Sequence, residues 1–300
     1  MPNYAIITDT DSSLPQDLAA RHAIRQVAIN LQFGDETVRA VEQLDDAGLF
    51  GRIAQTGRLP TSSAPTPGQF AQAYRDAFAD GAGGVVCFCV SSKGSATFEA
   101  AQKACDLLPG RDITVVDTHS ATMAQGFMVL AAAEAAAAGA SREEIRAAAR
   151  AMGKRTFMFA ALGSLDYLAM SGRVTGLTAS MALLLDIKPV LTMRDGTLEV
   201  LERVRTEKKA WSRVIELAAD AAGGRPADKL AIVHADARRA AQRFEKQLRA
   251  GMPCPDEIIL ADLTPGLSVV SGPGLVGVVI VTQGRSSMAG ASSEAQPTKE

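Results

Sequence analysis

The chain has 300 residues, 47% hydrophobic and 21% charged, with 31 Lys and Arg against 33 Asp and Glu. This composition is that of a folded globular protein, and the length exceeds what one hydrophobic core usually serves, so two domains are expected. The balanced charge, without a basic run carrying interleaved aromatics, argues against a nucleic-acid partner, and the lack of a long apolar stretch or signal-like start predicts a cytoplasmic protein with no stable membrane insertion.

Taken in chain order, Tyr4 to Thr8 reads as a buried strand, and Ser13 with Pro15 and Gln16 reads as the capped start of a helix. A β-rich run, 25–33, leads to a helix over 45–55, where the Asp45-Asp46 pair suits a helix start. Thr66, Pro67 and Gln69 announce another helix, and the apolar run 84–90 reads as a buried strand containing Cys87 and Cys89. Helices over 96–108 and 121–138 flank a strand over 113–117, and this strand–helix alternation implies an N-terminal α/β domain with a mostly parallel sheet, spanning 1–157.

Beyond residue 157 the rhythm changes. Helices are expected at 164–170 and 179–185, and a hairpin of Pro189 to Met193 with Thr197 to Arg205 turns around Arg194, Asp195 and Gly196. A helix at 207–222, a strand at 229–234, a helix at 238–250 and three further strand runs, Leu267 to Val270 among them, make residues 158–285 an α+β domain. Residues 286–300 have nothing to bury and are expected to be a disordered tail.

Few chemical motifs survive scrutiny. Four cysteines, Cys87, Cys89, Cys105 and Cys254, lack zinc spacing, and His22, His119 and His234 are scattered, so no metal or cofactor is expected. His22 and His234, at element ends, suit capped or surface imidazoles. Asp9-Thr10-Asp11 after the first strand resembles the nucleophile motif of magnesium-dependent haloacid-dehalogenase-type phosphatases, which gives an enzymatic alternative; the chain supplies no convincing second acidic cluster for the metal. Gly272, Gly274 and Gly277 match a dinucleotide fingerprint in letters only, because a strand and not a helix follows. The remaining signal is a set of hydroxyl-rich loops at strand ends: Thr61 to Ser63, Ser91 to Thr97, and Thr118 to Thr122. Hydroxyls and amides at such edges serve as turn partners or as carboxylate donors beside an apolar tunnel.

In order, these segments resemble the DegV family of bacterial fatty-acid-binding proteins. The resemblance rests on Ile7-Thr8-Asp9-Thr10 with Leu14-Pro15, on Thr61-Ser62 with Pro65 and Pro67-Gly68, and on Ser91-Ser92-Lys93 with Ser95, although Ala96 stands where Gly is usual. Its most specific part runs through Tyr167-Leu168, Ser171-Gly172-Arg173, Ile187-Lys188-Pro189, Asp195-Gly196 and Arg205. The resemblance implies a non-catalytic lipid carrier whose ligand lies between the domains, with Thr61, Ser62 and Ser95 on the carboxylate and apolar side chains of the second domain along an acyl tunnel; the chain is expected to be a monomer. It also implies that Arg173 and Arg205 serve the head group or a fatty-acid kinase to which the lipid is presented. Val270 occupies the place of a family His, which assigns the missing donor to Ser271 or to the amides of Gly272 and Gly274.

Overall fold

A computed structural model describes residues 3–171 and 187–284; Arg173, the helix expected at 179–185 and the tail 286–300 lie outside the described residues. The first half runs β1 (Tyr4–Asp9), α1 (Gln16–Arg21), β2 (Arg25–Val27), β3 (Asn30–Phe33), β4 (Glu36–Arg39), α2 (Asp46–Thr56), β5 (Thr61–Ser63), α3 (Pro67–Ala79), β6 (Gly84–Cys89), α4 (Thr97–Cys105), β7 (Ile113–Asp117), α5 (Thr122–Ala137) and α6 (Arg142–Gly153). The second runs β8 (Thr156–Ala161), α7 (Asp166–Ser171), β9 (Lys188–Arg194), β10 (Thr197–Val204), α8 (Glu207–Ala222), β11 (Lys229–His234), α9 (Arg238–Gly251), β12 (Ile259–Asp262), α10 (Pro265–Ser271) and β13 (Val276–Val281).

The expected α/β architecture is present. The first sheet, ordered β2-β1-β6-β7, is parallel throughout, and the second, β10-β9-β8-β13-β11-β12, is antiparallel except for the β11–β12 pair. A small antiparallel sheet, β4-β3-β5, flanks the first. Strand alternation distributes the core: Ile7, Val85 and Cys87 face α3 and α4, whereas Ile6, Val86 and Phe88 face inward toward α5. On the second sheet Met158, Val279 and Val281 also face inward, while Phe159, Val278 and Ile280 meet Trp211 of α8 and Phe244 of α9. Helix α5 therefore lies between the sheets. Every residue from Thr122 to Ala133 is buried, as a helix apolar on all sides requires. Among the described residues no helix is long and apolar enough to cross a membrane.

Two local expectations are corrected. Ser13 does not start a helix: Asp9 caps a 3-10 turn over Thr10–Ser12, Ser13 closes it at φ 49°, and α1 begins three residues later without a side-chain cap. The run Leu267 to Val270 is helical, not a strand, because Thr264 and Pro265 form an N-cap and first position that set helical φ before the chain turns at Gly272. The capping box at Thr66–Gln69 forms as expected, and the expected hairpin turns on Asp195 and Gly196 alone, because Arg194 pairs with Thr197 at the end of the ladder.

Candidate functional site

The carboxyl ends of β1 and β6 meet at a buried keystone. Asp9 accepts hydrogen bonds from the Val90 amide at 2.7 Å, the Asp11 amide at 3.0 Å and Gln125 Nε2 at 3.3 Å, which ties the first two strand-end loops to α5. Burial pushes its carboxyl up to about 6, against the lowering effect of these donors. Next door, Asp117 accepts from the Ser92 and His119 amides and so shapes the loop after β6.

The second half reaches this edge through two elements. The β9–β10 turn docks where Ser91 Oγ donates to the Gly196 carbonyl at 2.7 Å; a Cβ on Gly196 would stand 2.6 Å from that hydroxyl oxygen. Helix α10 approaches from the other side. A Cβ on Gly266 would lie 2.6 Å from Asp11 Oδ1 and 2.9 Å from Ile29 Cγ2, so only glycine permits this approach. Thr264 Oγ1 donates to Asp11 Oδ1 at 3.3 Å, and Ser268 Oγ donates to Asp46 Oδ2 at 2.6 Å, fixing α10 to the first half.

A cavity of about 360 Å³ is left between these parts. Ser62, Ser63, Ser91 and Ser95 with Lys93 and Asp11 line it from the first half and Thr197 from the second; its larger apolar side chains are Ile29 and Val90 from the first half and Met158, Met193, Leu198, Leu267 and Val270 from the second. The volume and the composition, apolar with a few convergent polar groups, are those of small-molecule sites.

The structure brings together Ser62 and Ser95 of the residues selected from sequence, and places Val270 in the same lining. Ser95 Oγ also lies 2.8 Å from Thr97 Oγ1 and accepts from the Thr97 amide, so it helps start α4. Thr61 is exposed on β5 and Arg205 is exposed just beyond β10, both outside the lining. The amides expected to receive an anion are already engaged: Gly272 N–H donates to the Ser268 carbonyl and Gly274 N–H to the Ala235 carbonyl, each at 2.8 Å. Ser271 turns its hydroxyl toward the Ser268 and Gly272 carbonyls. None of these three residues is in the cavity lining. Sequence reasoning missed Met158 and Met193, which carry no motif and differ in no way from core methionines until the fold aligns them.

A second pocket, about 590 Å³, lies on the opposite side of α10's first turn, at the carboxyl ends of the parallel pair β11–β12. Here the expected surface imidazole is corrected: His234 is 1% exposed, and burial lowers its pKa. Its Nδ1 lies 3.3 Å from Asp262 Oδ1 without hydrogen-bonding geometry, and neither ring nitrogen has a protein partner; Ser13 Oγ and Asp46 Oδ1 are likewise buried and unpartnered. Asp45 caps α2 as expected, but Asp46 is more than a helix-start carboxylate, because burial raises its pKa to about 7. Among the described residues no three His, Cys, Asp or Glu side chains are arranged to share a metal ion.

A family model described as "Uncharacterised protein, DegV family" matches residues 3–283. A DegV domain-containing protein of Streptomyces coelicolor is 36% identical over 278 residues, covering 93% of this chain and 98% of the relative. Among solved structures, a Thermus thermophilus DegV family protein described by its fatty acid binding superposes with a TM-score of 0.85 at 30% identity, covering 94% of this chain and all of that one. A Bacillus subtilis protein described as DegV, a fatty acid binding protein, gives 0.84 at 27% identity, with 94% of this chain and all of that one covered.

Proposed function

The chain belongs to the DegV family, and from that premise we propose that it binds one fatty acid and does not transform it. The carboxylate sits among the hydroxyls of the cavity and the acyl chain runs along its apolar wall. The observation that carries this reading is the cavity itself, where serine hydroxyls and one lysine of the first half meet a wall whose larger apolar side chains come mostly from the second, in a chain that superposes on DegV proteins described as fatty-acid-binding. A buried carboxylate needs hydrogen-bond donors, and Ser62, Ser95 and Lys93 offer them.

In the same reading the ligand lies between two units, 1–157 and 158–285, of a cytoplasmic monomer. Ser62 and Ser95 take the head group, Thr61 lies on the outer face of the same strand as Ser62, and Ser271 and Gly272 close the end of α10. Arg205, which is exposed, and Arg173 serve the head group or a kinase that phosphorylates the presented carboxylate. The phosphatase alternative finds its nucleophile spent, since Asp9 is fully buried and its acceptor oxygens are engaged by Val90, Asp11 and Gln125. The test is mass spectrometry of lipid extracted from protein purified from cells, followed by titration of delipidated protein with a fluorescent fatty acid. One equivalent of fatty acid and saturable binding are expected. Protein that neither retains nor takes up fatty acid would overturn the proposal.

A further inference from the structure

The second pocket lies at the carboxyl ends of the parallel strands β11 and β12, the edge at which α/β crossovers receive ligands. Among the described residues it shares no lining with the cavity. Three of its lining side chains carry buried atoms without a protein partner: Nδ1 and Nε2 of His234, Oδ1 of Asp46 and Oγ of Ser13. These residues are 1%, 7% and 3% exposed. They come from β11, α2 and the turn before α1, so the fold gathers them from distant segments. Ser268 engages Asp46 through Oδ2 alone. Buried polar atoms left unpaired cost stability, and a ligand that pairs with them recovers it.

What these atoms offer selects the ligand. Burial keeps the His234 imidazole neutral at pH 7, so it presents a lone pair, and the Asp46 and Ser13 oxygens accept as well. Four carboxylates, Asp45, Asp46, Asp236 and Asp262, line the pocket against one cation, Arg238. A metal ion is disfavoured, because among the described residues no three His, Cys, Asp or Glu side chains are arranged to share one. We propose that this pocket binds a small organic ammonium ion, whose N–H groups donate to Asp46, His234 and Ser13. A diamine suits it best, with its second ammonium among the exposed carboxylates Asp45, Asp236 and Asp262.

Binding carries a proton signature. Asp46 titrates at about 7, so its carboxyl is about half protonated at that pH before the ligand arrives. The titratable or charged groups lining the pocket with it are Asp45 on α2, His234 on β11, Asp236 in the loop that follows, Arg238 on α9 and Asp262 on β12. An ammonium favours the carboxylate and remains protonated itself, so binding releases roughly half a proton at pH 7 and strengthens as pH rises from 6 to 8.

The experiment is calorimetric titration of the full chain with diaminobutane, in two buffers of different ionisation heat, beside butanediol, magnesium, manganese and inorganic phosphate. Saturable binding of the diamine with proton release is expected, and none of the other four should match it. His234→Leu removes the imidazole acceptor and Asp46→Asn the charge; each should weaken diamine binding about tenfold, and Asp46→Asn should also abolish the proton release. Either variant decides the matter if the other does not fold. No binding at millimolar diamine, equal binding of butanediol, or full affinity in a folded variant would overturn the proposal. Tighter binding of either metal ion or of phosphate would overturn it as well.

Discussion

The two sides of α10 bury polar groups in opposite ways. Toward the cavity, Gly266, Leu267 and Val270 present backbone and hydrocarbon, and the buried polar atoms nearby are engaged: Asp9 by three donors, Ser91 by the Gly196 carbonyl. Toward the second pocket, Thr264 and Pro265 look onto His234, Asp46 and Ser13, whose buried atoms lack protein partners. Such unsatisfied groups are rare in folded proteins, and each withdraws stability. The contrast teaches what α10 separates: Asp9 and Ser91 on the cavity side are hydrogen-bonded within the protein, whereas His234, Asp46 and Ser13 on the other side each keep an unpartnered buried atom, as Ser12, Thr122 and Gln125 do elsewhere.

The sharpest way to break this contrast is to move the helix. Gly266→Val drives a branched side chain into Asp11 and Ile29, and the expected loss is about 3 kcal/mol in urea denaturation, the upper end for overpacking. Stability within about 0.5 kcal/mol of wild type, the range of an inconsequential surface change, would show that α10 is not held by this contact.

A second test titrates the polar side. Asp46 has its pKa raised from 3.8 to about 7 in the folded protein, so it favours the folded state fully below about pH 4, and that contribution is lost as pH rises through about 7. Asp46→Asn should therefore flatten the decline of stability between pH 4 and 7.5 by on the order of 2 kcal/mol, allowing for the group's partial access to solvent. Buried Asp9, raised in the same direction, keeps some slope in the variant. Parallel melting-temperature profiles for the two proteins would contradict this account of Asp46.

On the cavity side, Ser95→Ala should weaken fatty-acid binding by about 1.5 kcal/mol, the loss of one hydrogen bond to a charged acceptor, with a smaller effect on stability from its part in starting α4. An unchanged dissociation constant would remove Ser95 from the head-group site. The smallest effect, opposite in sign, belongs to His234→Leu. Replacing an imidazole with two unpartnered nitrogens by a hydrocarbon of similar size should stabilise the protein by about 1 kcal/mol at neutral pH. Because burial lowers the His234 pKa from 6.5, the unfolded chain binds its proton more readily, and wild-type stability falls as pH drops through that value. The variant loses this share of acid sensitivity. A destabilised variant would mean that the imidazole holds α10 by a contact its nitrogens do not make with protein atoms.

Much of the frame is readable from residue order alone. Continuous apolar runs such as Gly84–Cys89 mark buried parallel strands, and Thr66-Pro67 with Gln69 marks a helix start in which every letter has a mechanical role. The same signal stands at Thr264-Pro265, followed by Gly272, yet the β-branched run between them reads as a strand, because a seven-residue helix is too short to show its period. The serine loops are legible as a candidate head-group site because hydroxyls cluster at strand ends. The opposite wall is not: Met158 and Met193 lie 35 positions apart, and only the pairing of β8 with β9 brings both into one cavity lining. His234 fails for a related reason. A histidine at the end of a strand is usually wetted, and its burial depends on α10 and α2 closing over it from distant parts of the chain.

Helix α5 has a consequence for how the molecule is made. It completes the inner core of both sheets, yet on the ribosome it emerges before any strand of the second has been synthesised. Until β8, β13 and β11 arrive, the nascent first half carries one uncovered apolar flank, a surface that chaperones bind and that aggregates at high concentration. A fragment ending at residue 157 inherits that flank permanently. The two halves are accordingly expected to melt together, and two resolved calorimetric transitions would contradict this account of α5.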